Sequence, residues 1–231
     1  MENIITVVIP SRYPIEEKKD FLNNVIITSG VKLKVLYLYN DGSTSLTQLY
    51  ENALSQAITD IVIFMHDDIE FLMKDWGKEI IRMFNDHQEY GIIGVAGSAE
   101  FDSNAAWWSY KNIYGQVLHR HNGRSWVSMF SPLLNEDLKE VCVIDGLFMA
   151  ISKSRISKTF DTNLPGFHFY DIDFCLNNFL DVKTKIGVTT NIKIAHNSIG
   201  ETNEQWELNK NYVNSKYKKY YPITVKCYET I

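Results

Sequence analysis

The chain has 231 residues, of which 45% are apolar, 22% charged and 13% aromatic: enough to bury a core, and too apolar for a disordered chain. A net charge of −5 argues against a general nucleic-acid binder, which carries a basic face. Three cysteines (Cys142, Cys175, Cys227) are an odd number without metal-type spacing, so no disulfide framework is implied, and the first two read as buried thiols.

Residues 4–9 are a continuous β-branched run, the signature of a strand covered on both faces, and Pro10-Ser11-Arg12 ends it. Residues 32–39 form a second strand, halted by the turn signal Asn40-Asp41-Gly42-Ser43. Leu46, Leu49, Tyr50, Ala53, Leu54, Ala57 and Ile58 then follow the helical template. Residues 60–65 are a third strand, broken by His66-Asp67-Asp68; Asp75 is placed to cap a helix reaching Phe84, and residues 91–97 read as a fourth strand. Strands at this spacing with helices between them predict βαβ units and a largely parallel sheet.

The second half is less regular. Residues 101–132 are rich in aromatics with poor periodicity, and read as a loop or small β insertion on the substrate side. Residues 140–151 predict a buried strand interrupted by Asp145-Gly146, residues 171–180 a helix, 185–195 another strand, and 204–221 a closing helix. Neither a linker nor an internal repeat is evident, so a single domain over 1–231 is expected. The N-terminus carries no basic region, and no apolar run approaches the ~20 residues of a membrane span, so a cytoplasmic location is expected.

In an open parallel sheet, ligands bind outside the carboxyl ends of the strands. Ser11-Arg12, Asn40-Asp41, His66-Asp67-Asp68 and Asp145 would gather there. Glycine-rich phosphate fingerprints are absent, so a pyrophosphate would need a divalent metal on carboxylates instead. Adjacent acids such as Asp67 and Asp68 repel each other unless a cation or hydrogen-bond donors compensate; spacing alone leaves open whether they bind a ligand or cap the next helix. Asp171 and Asp173 could equally be N-terminal partners of their helix dipole.

Ile63-Phe64-Met65-His66-Asp67-Asp68-Ile69 resembles the apolar strand and D-x-D-type motif of GT-A glycosyltransferases of the family 2-like group. Val8-Ile9-Pro10-Ser11 resembles that group's first strand, and Tyr39-Asn40-Asp41-Gly42-Ser43 its D-G-S turn. Ile144-Asp145-Gly146-Leu147-Phe148 and Phe169-Tyr170-Asp171-Ile172-Asp173-Phe174 are similar to its later acidic motifs, and His196-Asn197-Ser198-Ile199-Gly200 to its C-terminal histidine segment. These similarities run in order over residues 4–221.

The resemblance implies an α/β fold of the GT-A (Rossmann-like) type: a mostly parallel central sheet flanked by helices, with a small irregular or β region on the acceptor side. Residues 1–100 would bind the nucleotide sugar, and residues 101–231 the acceptor and catalytic groups. Pro10, Ser11, Arg12, Asp41, His66, Asp67, Asp145 and Gly146 would line the donor site. Asp68, with His196, would ligate Mn²⁺ or Mg²⁺ at the diphosphate. Asp171 would be the general base, with Asp173 competing for that role. The activity implied is inverting hexosyl transfer from a nucleoside diphosphate sugar to a glycan or lipid-linked glycan, as in polysaccharide biosynthesis. Two departures stand out: His66 replaces the first acid of the triplet, and Tyr170 the acid before the base. The alternatives are a sugar nucleotidyltransferase, which residues 10–14 support poorly with one basic residue and no glycine, and a non-catalytic sugar- or nucleotide-binding module. Lys210, Lys216, Lys218 and Lys219 read as a solvated helix face, with peripheral membrane contact as the alternative.

Overall fold

The structure, a computed structural model, describes residues 4–130, 135–181, 184–198, 200 and 202–225; Cys227, Ile199 and the end of the 101–132 segment lie outside them. The opening β-branched run forms β1 (Ile4–Ser11), with Ile5, Val7, Val8 and Ile9 wholly buried. It is followed by helix α1 (Lys19–Ser29), β2 (Lys32–Tyr39), α2 (Leu46–Gln56) and β3 (Ile61–Met65). β2 and β3 pair in parallel on either side of β1. Ser45 caps α2, its hydroxyl accepting from Gln48 N, as the helical template of leucines and alanines requires at its start.

Helix α1 has no counterpart in the sequence reading. Its Val25-Ile26-Ile27-Thr28 stretch is poor helix material, and only Val25 and Ser29 are buried. Tertiary bonds compensate. Asn24 both donates to the Phe71 carbonyl (3.1 Å) and accepts from Phe71 N (2.8 Å) on the short strand β4 (Ile69–Phe71). The Trp76 indole donates to Thr28 Oγ1 at 3.0 Å from α3 (Trp76–Asp86). Asp75 sits at the N-cap of α3 with φ 61°, yet its side chain caps nothing; it pairs with Lys78 at 2.8 Å instead.

From residue 90 onward the chain moves repeatedly between two sheets. The run at 91–97 divides into β5 (Tyr90–Gly94) and β6 (Ala96–Ser98). Residues 101–132 form most of an ordered β region: β7 (Glu100–Phe101), β8 (Ile113–His121) and β9 (Arg124–Met129). β8 and β9 are a hairpin closed by Asn122-Gly123, both at positive φ, the conformation a two-residue primed turn needs. The run at 140–151 becomes β10 (Lys139–Val141), β11 (Val143–Ile144) and β12 (Phe148–Ser152). After α4 (Tyr170–Phe179), the run at 185–195 becomes β13 (Lys185–Val188) and β14 (Ile194–His196). Helix α5 (Glu204–Tyr217) and β15 (Ile223–Thr224) complete the described chain.

The main sheet has the order β10-β13-β5-β12-β3-β1-β2, and the second the order β11-β6-β8-β14-β4, with β9 on β8. The main sheet is mixed: β12 runs antiparallel between β3 and β5, and β10 antiparallel to β13. Where a largely parallel sheet is expected from the sequence, the parallel character is confined to β2-β1-β3 and β5-β13. The α/β class of the GT-A type holds. No helix among the described residues is long and apolar enough to cross a membrane.

Candidate active site

Two cavities lie side by side along the carboxyl ends of β1, β2 and β3. One, of about 610 Å³, is lined by Pro10, Ser11, Arg12, Asn40, Asp67 and Asp68 among others. The other, of about 730 Å³, has Asp145, Tyr170 and Asp171 at its floor and His66, His119 and four tryptophans around it. Leu46, Phe167 and His168 line both. The turn after β3 spans the boundary, presenting His66 to the larger cavity and Asp68 to the smaller.

The repulsion expected between Asp67 and Asp68 is relieved by giving each its own partners. Ser11 Oγ donates to Asp67 Oδ2 at 2.5 Å, and Lys18 Nζ reaches the same oxygen at 3.0 Å and the Asp67 carbonyl at 3.1 Å. Asp68 faces His196 Nε2 at 3.3 Å and His66 Nδ1 at 4.0 Å. Strand register explains His196: it pairs with Ile69 on β4 and His119 on β8, while Asn197 N donates to the Asp68 carbonyl at 2.9 Å.

Asp68 Oδ1 is buried yet accepts no hydrogen bond from any described residue. Burial works against its charge, but the His196 and His66 imidazoles outweigh it and hold the carboxyl well below the usual carboxylate range. On His196 burial acts downward, and Asp68 reverses it so that the net shift is up. Burial, the largest influence on His66, lowers it. A buried carboxylate oxygen with no well-aligned donor, 3.3 Å from His196 Nε2, and ligand atoms of His66, Asp68 and His196 all within 4.8 Å of one another fit a divalent cation.

Asp171 lies in the first turn of α4, after Phe169 at φ 65°. Its Oδ2 accepts from Gly146 N and its Oδ1 from Ile172 N, both at 2.8 Å. Burial, reinforced by the charge of Asp145, pushes its pKa up to about 7 despite those donors. Asp173 points the other way. It is 1% exposed and is held by Lys216 (2.8 Å), the Tyr217 hydroxyl (2.9 Å) and Asn177 (3.0 Å), tying α4 to α5. Lys216 also meets Asp161 at 2.7 Å, so it belongs to this buried clamp and not to a solvated face.

A sequence profile of the glycosyltransferase-like family matches residues 4–228. The chain belongs to that family. Three solved structures share its fold: GalNAc-T7 with UDP, GalNAc and Mn²⁺ (12% identity, TM-score 0.55), TarS 1-349 of S. aureus with UDP (15%, 0.53), and the mannosyltransferase PcManGT of Pyrobaculum calidifontis with GDP-Man and Mn²⁺ (10%, 0.53). They are matched over 94%, 86% and 94% of this chain, which spans 49%, 61% and 63% of theirs. No curated protein matches it by sequence.

In this family member the sequence-derived residues separate into groups. Pro10, Ser11, Arg12, Asp67 and Asp68 share the smaller cavity; His66, Asp145 and Asp171 share the larger; His196 lies beside Asp68, and Gly146 N donates to Asp171. Asp41 is exposed on the loop, its carboxylate accepting from Ser43 N. Asn40 does the loop's structural work, closing it through Thr44 and Gly42. Asp173 is not brought to either cavity. Lys18, His119 and His168 escaped sequence reasoning. Nothing local marks Lys18, whereas the Asn122-Gly123 turn between two apolar stretches could have revealed the hairpin that brings His119 beside Trp126, ring centroids 5.4 Å apart.

Proposed function

We propose that this chain transfers a glycosyl group from a nucleoside diphosphate sugar to a hydroxyl of a glycan or lipid-linked glycan. The observation carrying this reading is the cluster of Asp68, His196 and His66 beside two adjoining cavities, with Asp171 lining the second. Family membership and UDP-, GDP-Man- and Mn²⁺-containing structures of the same fold support it.

In this reading the smaller cavity holds the nucleoside diphosphate, with Ser11 and Asp67 fixed by Lys18 at its rim. A divalent ion at Asp68 and His196 would neutralise the diphosphate and stabilise it as the leaving group. Asp171 accepts the proton of the attacking acceptor hydroxyl. Each of its oxygens gives one lone pair to a backbone N–H, which fixes the carboxylate and leaves a second lone pair for the substrate. Direct displacement with inversion would use this carboxylate as its base. The half-exposed Trp108 and Trp126 offer flat apolar faces on which an acceptor sugar ring would stack.

The test is a melting-temperature panel of nucleoside diphosphates with Mn²⁺ or with chelator. Ligand linkage predicts a metal-dependent rise with one nucleotide family, lost in Asp68→Ala. No rise with any nucleotide in the presence of metal would refute the donor site.

A further inference from the structure

His66 and Tyr170, the two residues at which the chain departs from the motifs it resembles, touch each other. His66 Nε2 and the Tyr170 hydroxyl are 2.9 Å apart across 104 positions of sequence. The surroundings make this contact specific. A Cβ on Gly146 would lie 2.1 Å from the Tyr170 hydroxyl and 2.5 Å from its Cζ, so a glycine is required for the ring to reach that far. Tyr170 is buried and meets Tyr50 edge-on, with centroids 5.3 Å apart. With Nε2 engaged, the imidazole turns Nδ1 toward Asp68, and its centroid lies 5.6 Å from that of His196.

We propose that His66 is a third protein ligand of the centre and Tyr170 its positioning residue, so that two imidazoles and one carboxylate select a first-row transition ion over Mg²⁺. The inference rests on the divalent site of the reading above. Metal on Nδ1 leaves the ring proton on Nε2, where it donates to the Tyr170 oxygen; ligating histidines characteristically anchor their second nitrogen in this way. Imidazole nitrogen favours the later first-row ions, whereas Mg²⁺ demands oxygen ligands and holds its waters. Replacing an acid by His66 moves the donor set in that direction, and replacing a second acid by Tyr170 supplies a neutral hydroxyl of the right reach.

The experiment is a titration of the chelator-stripped protein with Co²⁺, without nucleotide, following visible absorption, with Mg²⁺ as competitor. The expected result is a Co²⁺ band barely displaced by millimolar Mg²⁺. His66→Ala should weaken Co²⁺ at least tenfold and change the band shape. Tyr170→Phe, which keeps the buried ring, should weaken it about tenfold with the band retained at saturation. His66→Asp should lower the Co²⁺-to-Mg²⁺ preference. His66→Gln and apo-state melting curves separate ligand loss from misfolding. If Asp68→Ala abolishes the band while His66→Ala and His66→Gln leave affinity and spectrum unchanged, His66 is not a ligand and the inference falls, while the proposed function stands. If Asp68→Ala leaves Co²⁺ binding intact, the divalent site itself is wrong, and the proposed function loses its support with it.

Discussion

The two cavities share a wall but are built differently. The smaller is made mainly by loops at the ends of β1, β2 and β3, strands that stay in one sheet, with Phe167, His168, Ser198 and Asn203 added from the second half of the chain. The larger is assembled from segments far apart in the chain, between β7 and β8, on the hairpin of β8 and β9, between β11 and β12 and at the start of α4, and eight of its nineteen lining residues are Phe, Trp or Tyr. Under the proposed function, a nucleotide would be gripped by a few charges and amides, and an acceptor sugar held by flat apolar faces. On this view, specificity toward the acceptor is set by the second half of the chain.

Substitutions can break that division. Largest in effect should be Asp171→Asn at the floor of the larger cavity: turnover falls by roughly 10²–10⁴-fold with donor binding unchanged, measurable by initial rates beside a donor titration. A comparable loss of donor affinity would show that the cavities are not separable. The pH profile sharpens the same point. A base must be ionised, so with its pKa near 7 the rate should rise tenfold per pH unit below neutrality and level above it, and this limb should vanish in Asp171→Asn. The sign for stability is opposite: the folded state holds this proton up to about pH 7 and the unfolded chain loses it near 4, so this group makes the protein less stable as pH rises between those values.

Asp173→Ala should do the reverse of Asp171→Asn. Removing a buried partner of Lys216 and Tyr217 should cost about 2–4 kcal/mol, read as a melting temperature lowered by roughly 5–10 °C, while the rate per folded molecule stays within twofold. Trp126→Ala should raise the acceptor KM about five- to tenfold with little change in kcat, as expected for loss of one stacking face. The smallest effect should be on the other side of the wall. Lys18→Ala should weaken the donor by roughly two- to fivefold, since a partly exposed cation loses much of its influence to solvent, and should leave the acceptor KM unchanged.

The same contrast appears in what could be read in advance. The sequence bounds β2 residue for residue, and β1, β3 and α2 closely, because each is one run of one periodicity; Pro10, expected to end β1, lies within it and pairs with Leu38 on β2. The polar ends of these strands could therefore be placed on one edge. The runs at 91–97, 140–151 and 185–195 were also recognised, but each is divided between two sheets, because a buried apolar run reads alike whichever sheet it pairs with.

The sequence by itself determined the α/β class and the acidic turn after β3, and it put Asp145 with the polar strand ends; Asp171 and His196 were implied only by the resemblance. Tertiary structure alone set the surroundings of Asp171 and Asp173, two positions apart on one helix: roughly 200° of helical rotation sends one carboxylate to the cavity and the other to Lys216. It also decided that Asp67 takes Lys18 while Asp68 faces His196 and His66, and that His66 and Tyr170 touch. Periodicity reports which side of an element is covered, and only packing of distant segments decides what covers it.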